Sequence, residues 1–154
     1  MSRLTLAHAS TIVDTALARG RTHKMLPLTV ALLDAGGHLV ALKREDGSGI
    51  LRPQIAIGKA WGALGLGVSS RTLRDRLADR PNFVAALAAA SDGRFVPVPG
   101  GVLIRDDTGA ALGAVGISGD TSDKDEYCAI EGVKAAGLRP DPPEPAATWA
   151  ESKF

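Results

Sequence analysis

The residues best suited to chemistry fall into four short groups that lie far apart along the chain. These residues are Arg44, Asp46, Lys59, Gly100, Gly101 and Ser118. A guanidinium can hold a carboxylate through two parallel hydrogen bonds, and a partly buried lysine can serve as an acid, a base or a carboxylate clamp. Glycine backbone and a serine at the end of a strand can donate hydrogen bonds to a ligand. Together these residue types predict a site for a small molecule that carries negative charge.

The acidic residues near the end of the chain add a second kind of chemistry. Asp125 could contact a ligand, and Glu126 or Lys59 could move a proton. In an enzyme of this kind Arg44 would hold a carboxylate, while Ser118 and backbone N–H groups would stabilise an oxyanion. The carboxylates could also chelate iron, because hard cations prefer oxygen ligands.

Each of these residues also has a purely structural interpretation. Arg44 and Asp46 could shape a loop through an ion pair and an Asx turn, and Lys59 could lie on a helix surface with its amine in water. The paired glycines and Ser118 are ordinary turn residues. Asp123 with Glu126 three positions later fits a capping box. The arginines between positions 71 and 80 alternate with aspartates, which is typical of a solvated helix face.

The histidines do not have the spacing of a zinc site, so no pre-formed zinc centre built by the protein is expected. His8, His23 and His38 are scattered over the first quarter of the chain. Any one of them could still bind a haem iron, with His8 and His23 suited to a boundary between subunits. The single cysteine, Cys128, is interpreted as a small core residue.

Hydrophobic periodicity and turn signals predict two β-hairpins separated by helices. Strands are expected over residues 27–34, 38–44, 100–105 and 110–118. Helices are expected over residues 5–19, 53–66, 70–77, 82–90 and 122–136. The two-proline segment 95–99 is expected to be an edge or an extended crossing. An antiparallel sheet made from two hairpins and flanked by helices is an α+β fold.

Length and composition predict one compact domain over residues 1–139 and a proline-rich tail over residues 140–154. We expect the tail to lie over a surface or a neighbouring subunit without forming an element. The net charge of +1 among 154 residues gives no reason to expect nucleic acid or an anionic membrane as a partner. One cysteine, no visible signal peptide and no apolar run of membrane-spanning length indicate a cytoplasmic protein.

The ordered set of motifs resembles one known family over residues 4 to about 138. The motifs are Val30-x-x-x-Asp34-x-Gly36-Gly37, Arg44-x-Asp46-Gly47, Lys59-Ala60, Pro99-Gly100-Gly101, and Gly116-x-Ser118-Gly119 followed by Asp125-Glu126. The family is the GlcG/HbpS-like haem-degrading domain family, which includes the C-terminal domain of PduO-type proteins. The resemblance implies a profilin-like fold and a homo-oligomer. It also implies binding of haem or free iron in some members, and a place among catabolic genes in others.

Three functions follow as hypotheses. The first is a binding protein for haem, another tetrapyrrole or a small carboxylate. The second is an enzyme of a small-metabolite catabolic pathway, acting on an organic acid or an aromatic compound through a Lys/Arg/Glu acid–base site. The third is a structural partner in a homo-oligomer, with alanine- and glycine-rich helices suited to close contacts between subunits.

Overall fold

The apolar runs form a five-stranded antiparallel sheet in the computed structural model, which describes residues 3–154. The strands are β1 (Thr29–Asp34), β2 (Leu39–Arg44), β3 (Gly101–Arg105), β4 (Ala111–Ser118) and β5 (Arg139–Asp141). Their order is β2-β1-β4-β3-β5, and every neighbouring pair is antiparallel. The two predicted hairpins, β1–β2 and β3–β4, are confirmed. Pairing of β1 with β4 joins them into one sheet.

Five α-helices surround the sheet, as an α+β fold requires. They are α1 (Leu6–Thr22), α2 (Arg52–Leu66), α3 (Ser70–Leu77), α4 (Pro81–Ala90) and α5 (Ser122–Ala135). Helix α1 extends three residues beyond its expected end at position 19, and the segment 95–99 forms no strand. None of the helices described over residues 3–154 combines the length and apolar character needed to cross a membrane.

The inner strands β1, β4 and β3 bury residues on both faces of the sheet, because alternate strand residues point to opposite sides, whereas the edge strand β2 stays partly exposed. Val30 and Leu32 of β1 belong to a core shared with α1 and α5, whereas Leu33 packs with alanines of α2. In β4, Val115 faces the α1/α5 side, and Ala114 faces α2. This two-sided burial explains why the inner strands consist of almost continuous apolar residues.

Helix α2 lies unusually close to the sheet because two strand positions carry no side chain. A Cβ atom at Gly116 would lie 1.9 Å from the Ala56 carbonyl oxygen, and one at Gly101 would lie 2.2 Å from that of Lys59. Only glycine permits such an approach of one backbone to another. The contact therefore presses the middle of α2, including Lys59, onto β3 and β4.

The prediction that the tail forms no element is wrong. Residues Arg139–Asp141 form β5 at the edge of the sheet. Asp141 forms an ion pair with Arg105, with a nitrogen–oxygen distance of 2.9 Å. A 3-10 helix follows at Trp149–Glu151. The Trp149 ring stacks on Tyr127 with a centroid distance of 3.7 Å, so the tail does lie over a surface, that of α5.

Candidate functional site

The candidate site is a cleft of about 360 Å³ between α2 and the N-terminal end of α5, which we call the α2–α5 cleft. Its lining includes Arg52, Ile55, Lys59, Val98, Ser118 and Asp125. The volume falls in the range of small-molecule sites. Charged groups and apolar side chains line it together, which suits a small amphipathic ligand.

One face of α2 supplies three of these side chains. Arg52, Ile55 and Lys59 are three and four positions apart, so they project from the same side of the helix. Pro53 lies in the first turn, where its missing N–H costs no hydrogen bond and its fixed φ favours the helix. The local sequence thus starts the helix at the residue that carries the guanidinium.

Lys59 and Asp125 form an ion pair in the wall of the cleft. The Lys59 Nζ donates to Asp125 Oδ2 at 3.1 Å and to the Ile117 carbonyl at 2.8 Å. Both side chains are almost fully buried, with 3% and 1% of their surface exposed. Asp125 Oδ1 also accepts the Asp120 backbone N–H at 3.0 Å. Every polar group of the pair therefore has a partner, as a buried charge requires.

Burial changes the proton affinity of Asp125. Desolvation raises the pKa of Asp125 to about 6, while the nearby Lys59 ammonium and the Asp120 N–H act in the opposite direction. A carboxyl group with a pKa near neutrality can exchange a proton with a partner at hydrogen-bond distance. The geometry therefore provides an acid–base pair that faces a ligand-sized space.

Arg52 is a half-buried basic group of the cleft, and it has no acidic partner to neutralise it. Its guanidinium donates to the Ser118 hydroxyl at 3.1 Å. Within residues 3–154, no carboxylate lies within ion-pairing distance of Arg52. Sequence reasoning missed this residue because the helix was expected to begin at Pro53. Its position seven residues before Lys59, two helical turns away, was the signal that could have found it.

Arg44 and Asp46 lie outside the α2–α5 cleft. They border a shallow depression beside Pro27, and Arg44 donates to the Ser48 carbonyl at 2.8 Å. This hydrogen bond closes the loop after β2, so Arg44 shapes the loop through a backbone carbonyl and not through the ion pair considered from the sequence. Of the residues predicted to bind a ligand, Ser118 and Asp125 line the cleft together with Lys59. Arg44 and Asp46 do not line it.

The paired glycines shape the space around Lys59, and the N–H of Gly101 is already engaged. The Gly101 N–H donates to the Ser70 hydroxyl at 2.7 Å, and the Gly100 carbonyl accepts from Ile117. The expectation that the Gly101 N–H is open to a ligand is therefore wrong. Gly100 has φ of +124°, and a Cβ atom there would lie 2.9 Å from the Lys59 Nζ. The glycine leaves the space that the lysine side chain occupies.

Glu126 turns away from the cleft and pairs with Arg71. The Arg71 guanidinium contacts both carboxylate oxygens at 2.6 to 3.1 Å, and Glu126 is fully buried. Desolvation raises the pKa of Glu126, and Arg71 opposes that shift. The predicted capping box is wrong, because Thr121 caps α5 and accepts the Lys124 N–H. Arg71 does not belong to a solvated helix face either.

No histidine lines the α2–α5 cleft. His8 caps α1 together with Thr5, His23 packs edge-on against Trp149, and His38 contacts Asp34 on an exposed hairpin turn. In the described part of the chain, residues 3–154, no three His, Cys, Asp or Glu side chains come together as a metal site. The buried thiol of Cys128 lies 3.5 Å from the Met25 sulfur, and burial raises its pKa.

Several solved structures have a fold similar to that of this chain. The chain is similar to a PduOC structure described as a haem complex, at 23% identity and a TM-score of 0.79, over 89% of this chain and 97% of that one. It is also similar to a double mutant of Streptomyces reticuli HbpS, at 24% identity and a TM-score of 0.74, over 87% of both chains. Klebsiella pneumoniae protein ORFY matches at 22% identity and a TM-score of 0.76, over 89% of this chain and 93% of that one.

Sequence comparison supports the same relationship. No curated protein matches the chain. The model of the family described as haem degrading protein HbpS-like matches residues 4–134, which is most of the sequence. The family resemblance of the motifs is thereby confirmed: the chain belongs to the HbpS-like family.

Proposed function

We propose that this protein binds a small carboxylate in the α2–α5 cleft. The observation that carries the proposal is Arg52, a half-buried guanidinium whose partner is the neutral Ser118 hydroxyl and not an acid. A guanidinium in a partly desolvated position binds a carboxylate more strongly than one in open water. The neighbouring Lys59 and Asp125 neutralise each other, so the positive charge of Arg52 is left for a ligand.

The surroundings of Arg52 suit such a ligand. Ser118 can donate a second hydrogen bond to the carboxylate, and the N-terminal end of α5 favours negative charge nearby. Ile55 and Val98 offer apolar contact to the remainder of the molecule. These features favour an organic acid with a short carbon skeleton over an inorganic anion.

Haem is the second candidate ligand, supported by the family description and by the similar structure described as a haem complex. Its propionate groups are carboxylates, which Arg52 could bind. The cleft does not suit the iron, because neither histidine nor cysteine lines it in the part of the chain described. Histidine ligation of the iron would therefore need His8, His23 or His38 at another surface, such as a boundary between copies of the chain.

A homo-oligomer is supported by α4. Its residues from Phe83 to Ala90 are all apolar, yet none of them is buried within the single chain. A helix that is apolar all round is normally covered by other protein. Light scattering on wild-type protein and on Ala86→Glu tests this role. We expect a multimer that the added charge dissociates, and a wild-type monomer would contradict it.

Titration by ligand-observed NMR tests the carboxylate proposal. Wild-type protein should bind lactate and pyruvate, and Arg52→Gln should lose about tenfold or more in affinity, since one charge-assisted hydrogen bond is worth roughly 1.5–3 kcal/mol. Arg44→Gln provides the comparison, because Arg44 was the arginine favoured by the sequence. An equal loss of affinity in Arg52→Gln and Arg44→Gln would overturn the proposal, and so would a wild-type protein that binds neither lactate nor pyruvate.

A haem titration read at the Soret band tests the second candidate. A saturable shift that is lost in one of His8→Ala, His23→Ala or His38→Ala would establish haem binding and identify the iron ligand. A spectrum that stays that of free haem would remove haem from the candidates and leave the small carboxylate.

A further inference from the structure

We infer that Lys59 forms an imine with the carbonyl carbon of a short 2-oxo carboxylate held in the α2–α5 cleft. The inference rests on the proposed function, because Arg52 must first bind the carboxylate. It goes further by naming a covalent step and the class of substrate that undergoes it.

Lys59 differs from the other lysines of the chain in its burial. Among residues 3–154 it is the only buried lysine, and it still contributes to the lining of the cleft. Lysines that act as covalent nucleophiles are typically desolvated in this way. Lys43 offers a direct contrast, since it pairs with Asp14 at 2.7 Å but about 60% of both side chains is exposed.

Consecutive residues of β4 bring the amine and the anchoring arginine close together. The Ile117 carbonyl accepts from the Lys59 Nζ at 2.8 Å, and the Ser118 hydroxyl accepts from Arg52 at 3.1 Å. Neighbouring Cα atoms are about 3.8 Å apart, so both contacts fall at the same end of β4. A ligand whose carbonyl is directly bonded to its carboxylate suits two groups that are held by adjacent residues.

Asp125 supplies the proton transfers that the step requires. The ammonium of Lys59 gives one proton to Asp125 Oδ2, 3.1 Å away, and releases its contact with the Ile117 carbonyl. The neutral amine then forms a C–N bond to the carbonyl carbon, and its second proton reaches the former carbonyl oxygen. Asp125 returns its proton to that hydroxyl group, the C–O bond breaks, and water leaves. The product is a protonated imine, with no net oxidation or reduction.

Trapping with cyanoborohydride tests the inference on the wild-type protein. We expect incubation with pyruvate and the reductant to add one reduced pyruvate per chain, located at Lys59 by peptide mapping. Acetone, which has the carbonyl but no carboxylate, should label far less. Label on exposed lysines without label at Lys59 would overturn the inference, and this measurement depends on no variant.

Three variants test the roles of Lys59 and Asp125 in trapping. Lys59→Arg keeps the positive charge next to Asp125 but cannot form an imine, so it should abolish trapping. Asp125→Asn should slow trapping by about 100-fold, the usual size of a general acid–base effect. Lys43→Arg removes the exposed lysine of a similar pair and should trap like wild type. Equal trapping in Lys59→Arg and wild type would refute the role of Lys59.

Binding measured in parallel separates the two proposals. If pyruvate and lactate bind but pyruvate is not trapped, the covalent step is wrong and carboxylate binding stands. If neither acid binds and nothing is trapped, the proposed function fails, and the inference that rests on it fails too.

Discussion

Replacing Lys59 with methionine should destabilise the fold strongly, because it leaves Asp125 charged and alone in the interior. Only 1% of the Asp125 side chain is exposed, so water cannot take the place of the ammonium. Removing one partner of a buried ion pair typically costs about 3–5 kcal/mol. Lys43→Met is the matched control, because the Lys43–Asp14 pair is exposed and such pairs contribute at most about 1 kcal/mol.

The penalty should also depend on pH, in a direction fixed by Asp125. Burial raises the pKa of this carboxyl group from 3.8 to about 6, so the folded protein binds its proton more tightly than the unfolded chain. Stability from this group is therefore greatest below pH 3.8 and falls as the pH rises to about 6. Without Lys59 the pKa rises further, and at pH 5 the stranded carboxylate takes up a proton. The cost of Lys59→Met should thus be smaller at pH 5 than at pH 8.

Urea unfolding followed by circular dichroism measures these free energies at both pH values. The double variant Lys59→Met with Asp125→Leu should recover part of the loss, since it removes the isolated charge as well. A penalty no larger than that of Lys43→Met, or one that does not shrink at pH 5, would refute the view of Lys59 and Asp125 as a desolvated pair.

Three further outcomes follow from the same physics. Arg71→Ala should cost about 3 kcal/mol in urea unfolding because Glu126, fully buried, loses its bidentate partner; a loss below about 1 kcal/mol would contradict this. Gly116→Ala should prevent α2 from packing on the sheet, since the methyl group would lie 1.9 Å from a helix carbonyl oxygen; a thermal midpoint equal to wild type would be the contrary result. Trp149→Ala removes a stacked contact with Tyr127 that is worth about 1 kcal/mol. Limited proteolysis should therefore cleave the tail faster in this variant, and an unchanged cleavage rate would count against that contact.

Much of the fold follows from local sequence signals. Both hairpins could be predicted because each pairs apolar runs across an Asp-containing turn, and such turns have a recognisable chemistry. The expected helix starts fall within one residue of those observed, since prolines and small polar residues mark them well. These features depend on residues that are close in the chain, which is why sequence alone revealed them.

The fifth strand could not be predicted in this way. Its three residues, Arg139–Asp141, include a proline and have no apolar alternation. They form a strand because the edge of β3 offers free backbone groups and Arg105 pairs with Asp141. A strand specified by its neighbour and not by its own pattern leaves no local signal.

The candidate site was only half visible for a related reason. Lys59, Ser118 and Asp125 were identified by residue type, and the fold brings them together in one cleft. The sequence favoured Arg44 and missed Arg52, although Arg44 ends β2 and Arg52 begins α2 only eight positions later. Which arginine faces the cleft depends on the direction that α2 takes across the sheet, a tertiary property.

The close packing of α2 links these observations. If Gly101 and Gly116 carried side chains, α2 would lie farther from the sheet, and the amine of Lys59 could not reach the Ile117 carbonyl at 2.8 Å. The lysine would then extend into water, as expected for an ordinary surface residue. Gly100, Gly101 and Gly116 therefore affect the chemistry of the site without contacting a ligand. They provide the space in which a lysine is desolvated, paired with Asp125 and still in contact with a ligand cleft.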